Sequence, residues 1–164
     1  MTQANKEVIP FTGTAGTKSK KQSSTERIWG KDVCSHGYAG VPSILIRCQQ
    51  RLGLNPTQMN IILQLLNYWH DPRRKPFPRK KELADRIGVT PKTIQNNIRA
   101  LEVAGLIRRE QQKTAAGDWG SNIYHLDGLV EKVKSFEPEF TKERDERKAK
   151  KEELETPKGK RKSS

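Results

Sequence analysis

The apolar positions of this chain fall into short periodic runs separated by turn signals. In "VPSILIRCQQRLG", Ile44, Leu45, Cys48 and Leu52 make a helical stripe that Gly53 ends. Order is expected to begin just before it, near Tyr38. "LNPTQM" opens a second helix: Asn55 stands as N-cap, Pro56 takes the first helical position and Gln58 completes a capping box. Leu54 and Met59 are spaced as a hydrophobic staple. The run "TQMNIILQLLNYWHD" is apolar on most faces, through Met59, Ile61, Ile62, Leu63, Leu65, Leu66, Tyr68 and Trp69. That predicts the central core element or, in part, a subunit interface. Asp71 and Pro72 close it.

A basic loop, "RRKPFPRKK", leads into a short helix, "KELADRIG", whose apolar face is Leu83, Ala84 and Ile87. Small Ala84 admits a crossing helix. Gly88 permits the left-handed turn of a tight helix–helix connection, Val89 plugs the corner, Thr90 caps and Pro91 starts the next helix. Val89 and Ile94 repeat the staple spacing. Ile94, Ile98 and Leu101 then form a buried stripe, which turns Lys92, Thr93, Gln95, Asn96 and Arg99 outward. The helix stops at Gly105. "LIRRE" and "NIYHL" read as two short strands joined by the loop "QQKTAAGDWGS". After them Leu126, Leu129, Val130, Val133, Phe136 and Phe140 predict one more helix, interrupted near Pro138.

A short helix, a tight glycine turn and a second helix with a polar outer face follow the logic of a helix-turn-helix. Its outward side chains suit base reading: Gln and Asn pair bidentately with adenine, Arg with guanine, while Thr and Lys serve base edges or phosphates. The alternative is a helical hairpin with a merely solvated face.

Composition sharpens this. The chain has 164 residues, 32% hydrophobic and 31% charged, so its whole length cannot share one core. The net charge is +13, which favours an anionic partner. From Arg73 to Lys113, twelve Lys and Arg face four acids, a balance of +8. Backbone contacts to DNA are therefore expected from Arg73, Arg74, Lys75, Arg79, Lys80, Lys81, Thr90, Arg108, Arg109, Lys113, Ser121 and Asn122. Trp119 has two readings, against the sugar-phosphate backbone or folded over the hairpin, and the second is favoured.

Residues 1–36 are rich in Thr, Ser, Gly and Lys without periodicity and read as a disordered basic arm. Residues 141–164 form a charged tail, in which pairs such as Glu143–Arg147 and Glu146–Lys150 support a solvated helix. No a/d seam favours a coiled coil there. The N-terminus lacks a signal-peptide core, and no run of about 18 apolar residues exists to span a membrane. Cys34 and Cys48 are too few and too widely spaced for a disulfide framework or zinc site. His36, His70 and His125 lack ligand spacing. No nucleophile motif, phosphate-binding glycine loop or carboxylate pair stands out, so neither enzymatic activity nor a cofactor or metal is expected.

The segments "ELADRIGVTPKTIQNNIRALEVAGLIRRE" and "GSNIYHLDGLV" resemble the winged helix-turn-helix proteins among bacterial, plasmid and phage regulators and replication proteins. The likeness extends over about residues 37–130. Arg79 departs from the Ser-type cap such proteins often carry before the first helix of the motif. The resemblance implies a mainly α fold with a small β-hairpin wing, a recognition helix at 91–105 in the major groove and a wing at 106–126 on the backbone or minor groove. The DNA-binding domain with its following helix is expected at 37–140. The leading expectation is a sequence-specific double-stranded DNA-binding transcriptional regulator. It would act as a cytoplasmic, nucleoid-bound homodimer whose charged tails meet protein partners. A replication or partition factor of a mobile element, and a protein-interaction adaptor, are the alternatives.

Overall fold

A computed structural model describes residues 23–156. In chain order the elements are α1 (Ser24–Trp29), α2 (Lys31–Ser35), α3 (Ser43–Arg47), α4 (Pro56–Tyr68), α5 (Lys80–Ile87), α6 (Pro91–Val103), β1 (Arg108–Lys113), β2 (Trp119–His125), α7 (Asp127–Lys134) and α8 (Glu137–Glu155). They fall into two units, one ending at Gly37 and one beginning at Tyr38.

The first unit departs from the expected arm. Residues 1–22 of that arm lie outside the described residues, but from Ser23 the chain is helical. The Ser23 hydroxyl accepts from the Glu26 amide at 3.1 Å, and the Glu26 carboxylate accepts from the Ser23 amide at 2.9 Å. This reciprocal cap starts α1, and Gly30, at φ 86°, separates it from α2. Neither helix buries a residue.

In the second unit α4 packs against both α5 and α6. Its start follows the local signals: Asn55 Oδ1 accepts from the Gln58 amide at 2.8 Å, and Gln58 Oε1 accepts from the Asn55 amide at 2.9 Å. Leu54 and Met59 are both buried beside that cap. Ile61, Ile62 and Leu65 of α4 lose all contact with solvent in a core shared with Leu83, Ala84, Ile94, Ile98 and Leu101. The apolar wealth of α4 is thus largely spent inside the domain. Burying each such side chain stabilises the fold by roughly 1.5–3 kcal/mol before entropy is counted.

β1 and β2 form an antiparallel hairpin with Arg109 opposite Tyr124 and Gln111 opposite Asn122. The strands run further toward the tip than "LIRRE" and "NIYHL" suggested. Backbone pairing carries the hairpin out to Lys113 and Trp119, with an irregularity after Gln111. Tyr124 is fully buried, and its amide donates to the carbonyl of Pro76 at 2.8 Å. That bond stitches the loop before α5 to the second wing strand.

Beyond the wing, the expected break near Pro138 falls at Ser135–Phe136, between α7 and α8. The start of α8 lies against α3. Arg51 sits 4.2 Å from the Phe136 ring centroid and pairs with both oxygens of Glu139 at 2.9 and 3.0 Å. Arg47 sits 4.4 Å from the Phe140 centroid. From Arg144 to the end of α8 every residue is exposed, as a helix without an apolar stripe should be.

Candidate nucleic-acid interface

The connection between α5 and α6 is built by backbone geometry. Gly88 adopts φ 77°, ψ 35°, and the amides of Gly88 and Val89 both donate to the Ala84 carbonyl, at 2.9 and 3.1 Å. This closes α5 in a left-handed turn that a side chain would strain. Thr90 then caps α6, its hydroxyl accepting from the Thr93 amide at 3.1 Å. Arg79, at the cap position of α5, makes no side-chain cap.

With Ile94, Ile98 and Leu101 buried, α6 turns Lys92, Gln95, Asn96 and Arg99 into solvent as one row. Thr93 is half-buried, with its hydroxyl 2.9 Å from that of Thr90. It is less available than the other four. Asn97 serves as a brace: its amide donates to the Thr93 carbonyl at 2.9 Å, and its oxygen accepts from Asn55 at 3.2 Å. The helix face is thereby held against the start of α4.

Around this row the expected phosphate contacts divide. Lys80 reaches Gln95 Oε1 at 3.5 Å, and Arg79, Lys80, Ser121 and Asn122 line one hollow with Gln111, Thr114, Trp119 and Gly120. The start of α5 and the wing therefore form a shared surface. Lys81 is exposed beside it. Arg73 and Arg74 are exposed on the turn that closes α4, where Asp71 Oδ1 accepts from the Arg73 amide at 2.8 Å.

Other expected contacts are engaged inside the domain. Arg109 binds both oxygens of Glu102, at 2.7 and 3.0 Å. Lys75 donates to Asp127 at 2.9 Å with its ammonium 4.8 Å from the Trp69 ring centroid. Arg108 is exposed but alternates to the opposite wing face, lining a separate hollow with Glu102, His125 and Asp127. Burial alone would raise the Glu102 carboxyl, but the side-chain and backbone hydrogen bonds from Arg109 outweigh it and hold the group below its usual range. The hydrogen bond from Lys75 likewise lowers Asp127.

These pairings sharpen the field. Of the four acids in the basic region, Glu82 is paired with Arg86 and Glu102 with Arg109, while Glu110 Oε2 lies within hydrogen-bond distance of His125 Nε2, at 2.8 Å. Arg79, Lys80, Lys81, Lys92, Arg99 and Lys113 have no ion-pair partner among the described residues. Trp119 does not fold over the hairpin; it is 66% exposed, with the Lys113 ammonium 5.1 Å from its ring centroid. Among the described residues no cluster of His, Cys, Asp and Glu is placed to hold a metal, and no helix is long and apolar enough to cross a membrane.

Two interface residues were not singled out from the sequence. Gln111 reads as loop because a strand polar on both faces shows no alternation, and Thr114 lies in the loop itself, where nothing in the sequence marks it.

Three helices with a capped turn between the second and third, followed by a two-stranded hairpin, define a winged helix-turn-helix domain. Residues 52–107 match the family model described as a helix-turn-helix domain. Among solved structures, the chain is similar to the N-terminal domain of the DnaD protein from Geobacillus kaustophilus. The identity is 20% and the TM-score 0.51, over 76% of this chain and 99% of that one. A possible transcriptional regulator from Methanosarcina mazei gives 18% identity and a TM-score of 0.41, over 66% of this chain and 85% of that one. MarR gives 22% and 0.36, over 80% of this chain and 93% of that one. The first of these likenesses supports the fold. No curated protein matches the sequence.

Proposed function

We propose that the protein reads double-stranded DNA sequence-specifically and regulates transcription, with α6 in the major groove and the wing on the backbone or minor groove. The observation that carries this reading is the row Lys92, Gln95, Asn96 and Arg99, displayed on a rigidly capped helix within a helix-turn-helix domain. Arg79, Lys80, Lys81 and Lys113, cations without an ion-pair partner among the described residues, supply the grip on phosphates. Lys75 and Arg109 support the surface from within. The reading unit corresponds to residues 37–140, with the segments before and after it as adjuncts that meet DNA or protein partners. The protein acts in the cytoplasm as a homodimer on repeated half-sites.

Genome-wide binding-site selection, followed by anisotropy titration of selected and random duplexes, tests the reading. A shared motif upstream of genes, bound more tightly than random duplex, supports it. Clusters of repeats at a replication origin would transfer the same surface to a replication or partition role. Equal affinity for selected and random duplexes would remove the claim of sequence specificity.

A further inference from the structure

Beside the reading helix lies a second surface of different character. Phe77 stands between Pro76 and Pro78, both of which are buried, yet is itself 57% exposed. Two buried prolines and the bond from the Tyr124 amide to Pro76 hold this phenyl outward on a rigid strap. A single exposed aromatic is ordinary; one presented by a stiffened backbone beside cations is less so. The hollow under Phe77 is lined by Tyr68, Arg79, Glu82 and Ser121. Arg79 and Ser121 also line the wing hollow, together with Lys80, Gln111, Asn122 and the largely exposed Trp119. The two hollows therefore adjoin, sharing Arg79 and Ser121, with Phe77 at the first, Trp119 at the second and Lys80 lining the second.

We propose that this groove binds unpaired nucleic acid: bases stack on Phe77 and Trp119, while Arg79 and Lys80 hold the intervening phosphates. The amides of Gln111 and Asn122 and the hydroxyl of Ser121 offer hydrogen bonds to base edges. Duplex DNA keeps its bases stacked on one another and gives these rings nothing to cover. Single strands pair exposed base faces with regularly spaced negative charge, and aromatic platforms in a basic groove suit that combination. Lys113, beside Trp119, adds positive charge without hiding the indole. The site shares Arg79 and Lys80 with the duplex grip but goes beyond that reading, since it adds the rings of Phe77 and Trp119 and uses none of the outward row of α6.

The test measures anisotropy of the 164-residue chain with a labelled thymidine oligomer of about ten nucleotides, an abasic oligomer of equal length and charge, and a duplex. Oligothymidine is expected to bind about ten-fold more tightly than the abasic strand, with quenching of tryptophan fluorescence that Trp119→Ala abolishes. Phe77→Ala and Trp119→Ala should each remove most of that advantage. Phe77→Leu, which keeps apolar bulk without an aromatic face, should do the same, whereas Trp119→Phe should retain part of it. Thermal melts establish that each variant is folded. Phe77→Ala should leave duplex affinity unchanged, while Arg99→Ala should impair duplex discrimination and leave oligothymidine binding intact. Equal affinity for the thymidine and abasic strands would overturn the proposal, as would folded Phe77 variants that bind oligothymidine normally. Loss of selected-duplex binding by the unaltered protein, with oligothymidine binding retained, would count against the duplex reading alone.

Discussion

The Glu102 carboxylate at the end of α6 receives the Arg109 guanidinium at 2.7 and 3.0 Å and the Arg109 amide at 3.0 Å. One side chain thus ties α6 to the first wing strand. Both partners are mostly buried, with side-chain exposures of 25% and 29%. Glu102→Gln should lower stability by about 1–3 kcal/mol, because the charge-assisted pair is lost and Arg109 is left half-buried. Urea denaturation measures this, and an unchanged midpoint would reduce the pair to a surface contact.

The same pair sets a pH dependence. The Glu102 carboxyl is held below its ordinary value of 4.5 in the folded state, so the unfolded chain binds the proton first as the medium becomes acidic. Its contribution is fully present above that value and is lost as pH falls through the lowered one. Denaturation midpoints followed downward from neutral pH should decline less steeply in Glu102→Gln than in the unaltered protein.

Arg99→Ala or Asn96→Ala should cost about 1–3 kcal/mol of discrimination between selected and mismatched duplexes. Lys81→Ala should instead weaken all duplexes alike and flatten the dependence of affinity on salt. Titrations at several salt concentrations separate the two behaviours; a loss of discrimination in Lys81→Ala would refute the division between reading and grip.

Thr90→Ala removes the acceptor that caps α6 and should cost about 1 kcal/mol, while Thr90→Ser should retain it. Since Thr90 was also expected to touch phosphate, a Ser variant that is stable but binds duplex poorly would assign it more than a capping role.

Gly128 has no room for a side chain. A Cβ there would lie 2.0 Å from the Gly105 carbonyl oxygen, where the Leu129 amide donates to Leu106 at 2.7 Å. Gly128→Ala should therefore destabilise the domain by about 1–3 kcal/mol, read from the thermal midpoint, by forcing α7 off the corner between α6 and the wing.

What the sequence revealed was chiefly what short-range chemistry decides. The capping box of Asn55 and Gln58, the Gly88 turn and the Thr90 cap are set by residues within five positions of one another, and all were legible. The reciprocal cap of Ser23 and Glu26 carries the same kind of signal, yet the polar composition around it suggested an unstructured arm. The pairing of Lys75 with Asp127 spans 52 positions and exists only once the wing has folded. A count of cations could not separate Lys75 and Arg109, held inside the domain, from Lys81 and Arg99, which face solvent. The row on α6 was readable because its buried counterpart repeats at helical spacing. Gln111 was not, because backbone pairing alone carries that part of β1.

The bond between the Tyr124 amide and the Pro76 carbonyl has a mechanical meaning. The wing and the approach to α5 are laced together, and Glu102 laces the wing to α6, so the angle between α6 and the wing is a property of the folded protein. On the proposed reading, a duplex must meet both at a separation it does not choose. Sequences that bend readily toward that angle gain affinity even at base pairs no side chain touches. The preferred site would then be marked by flexible steps between the contacted bases as well as by the bases themselves.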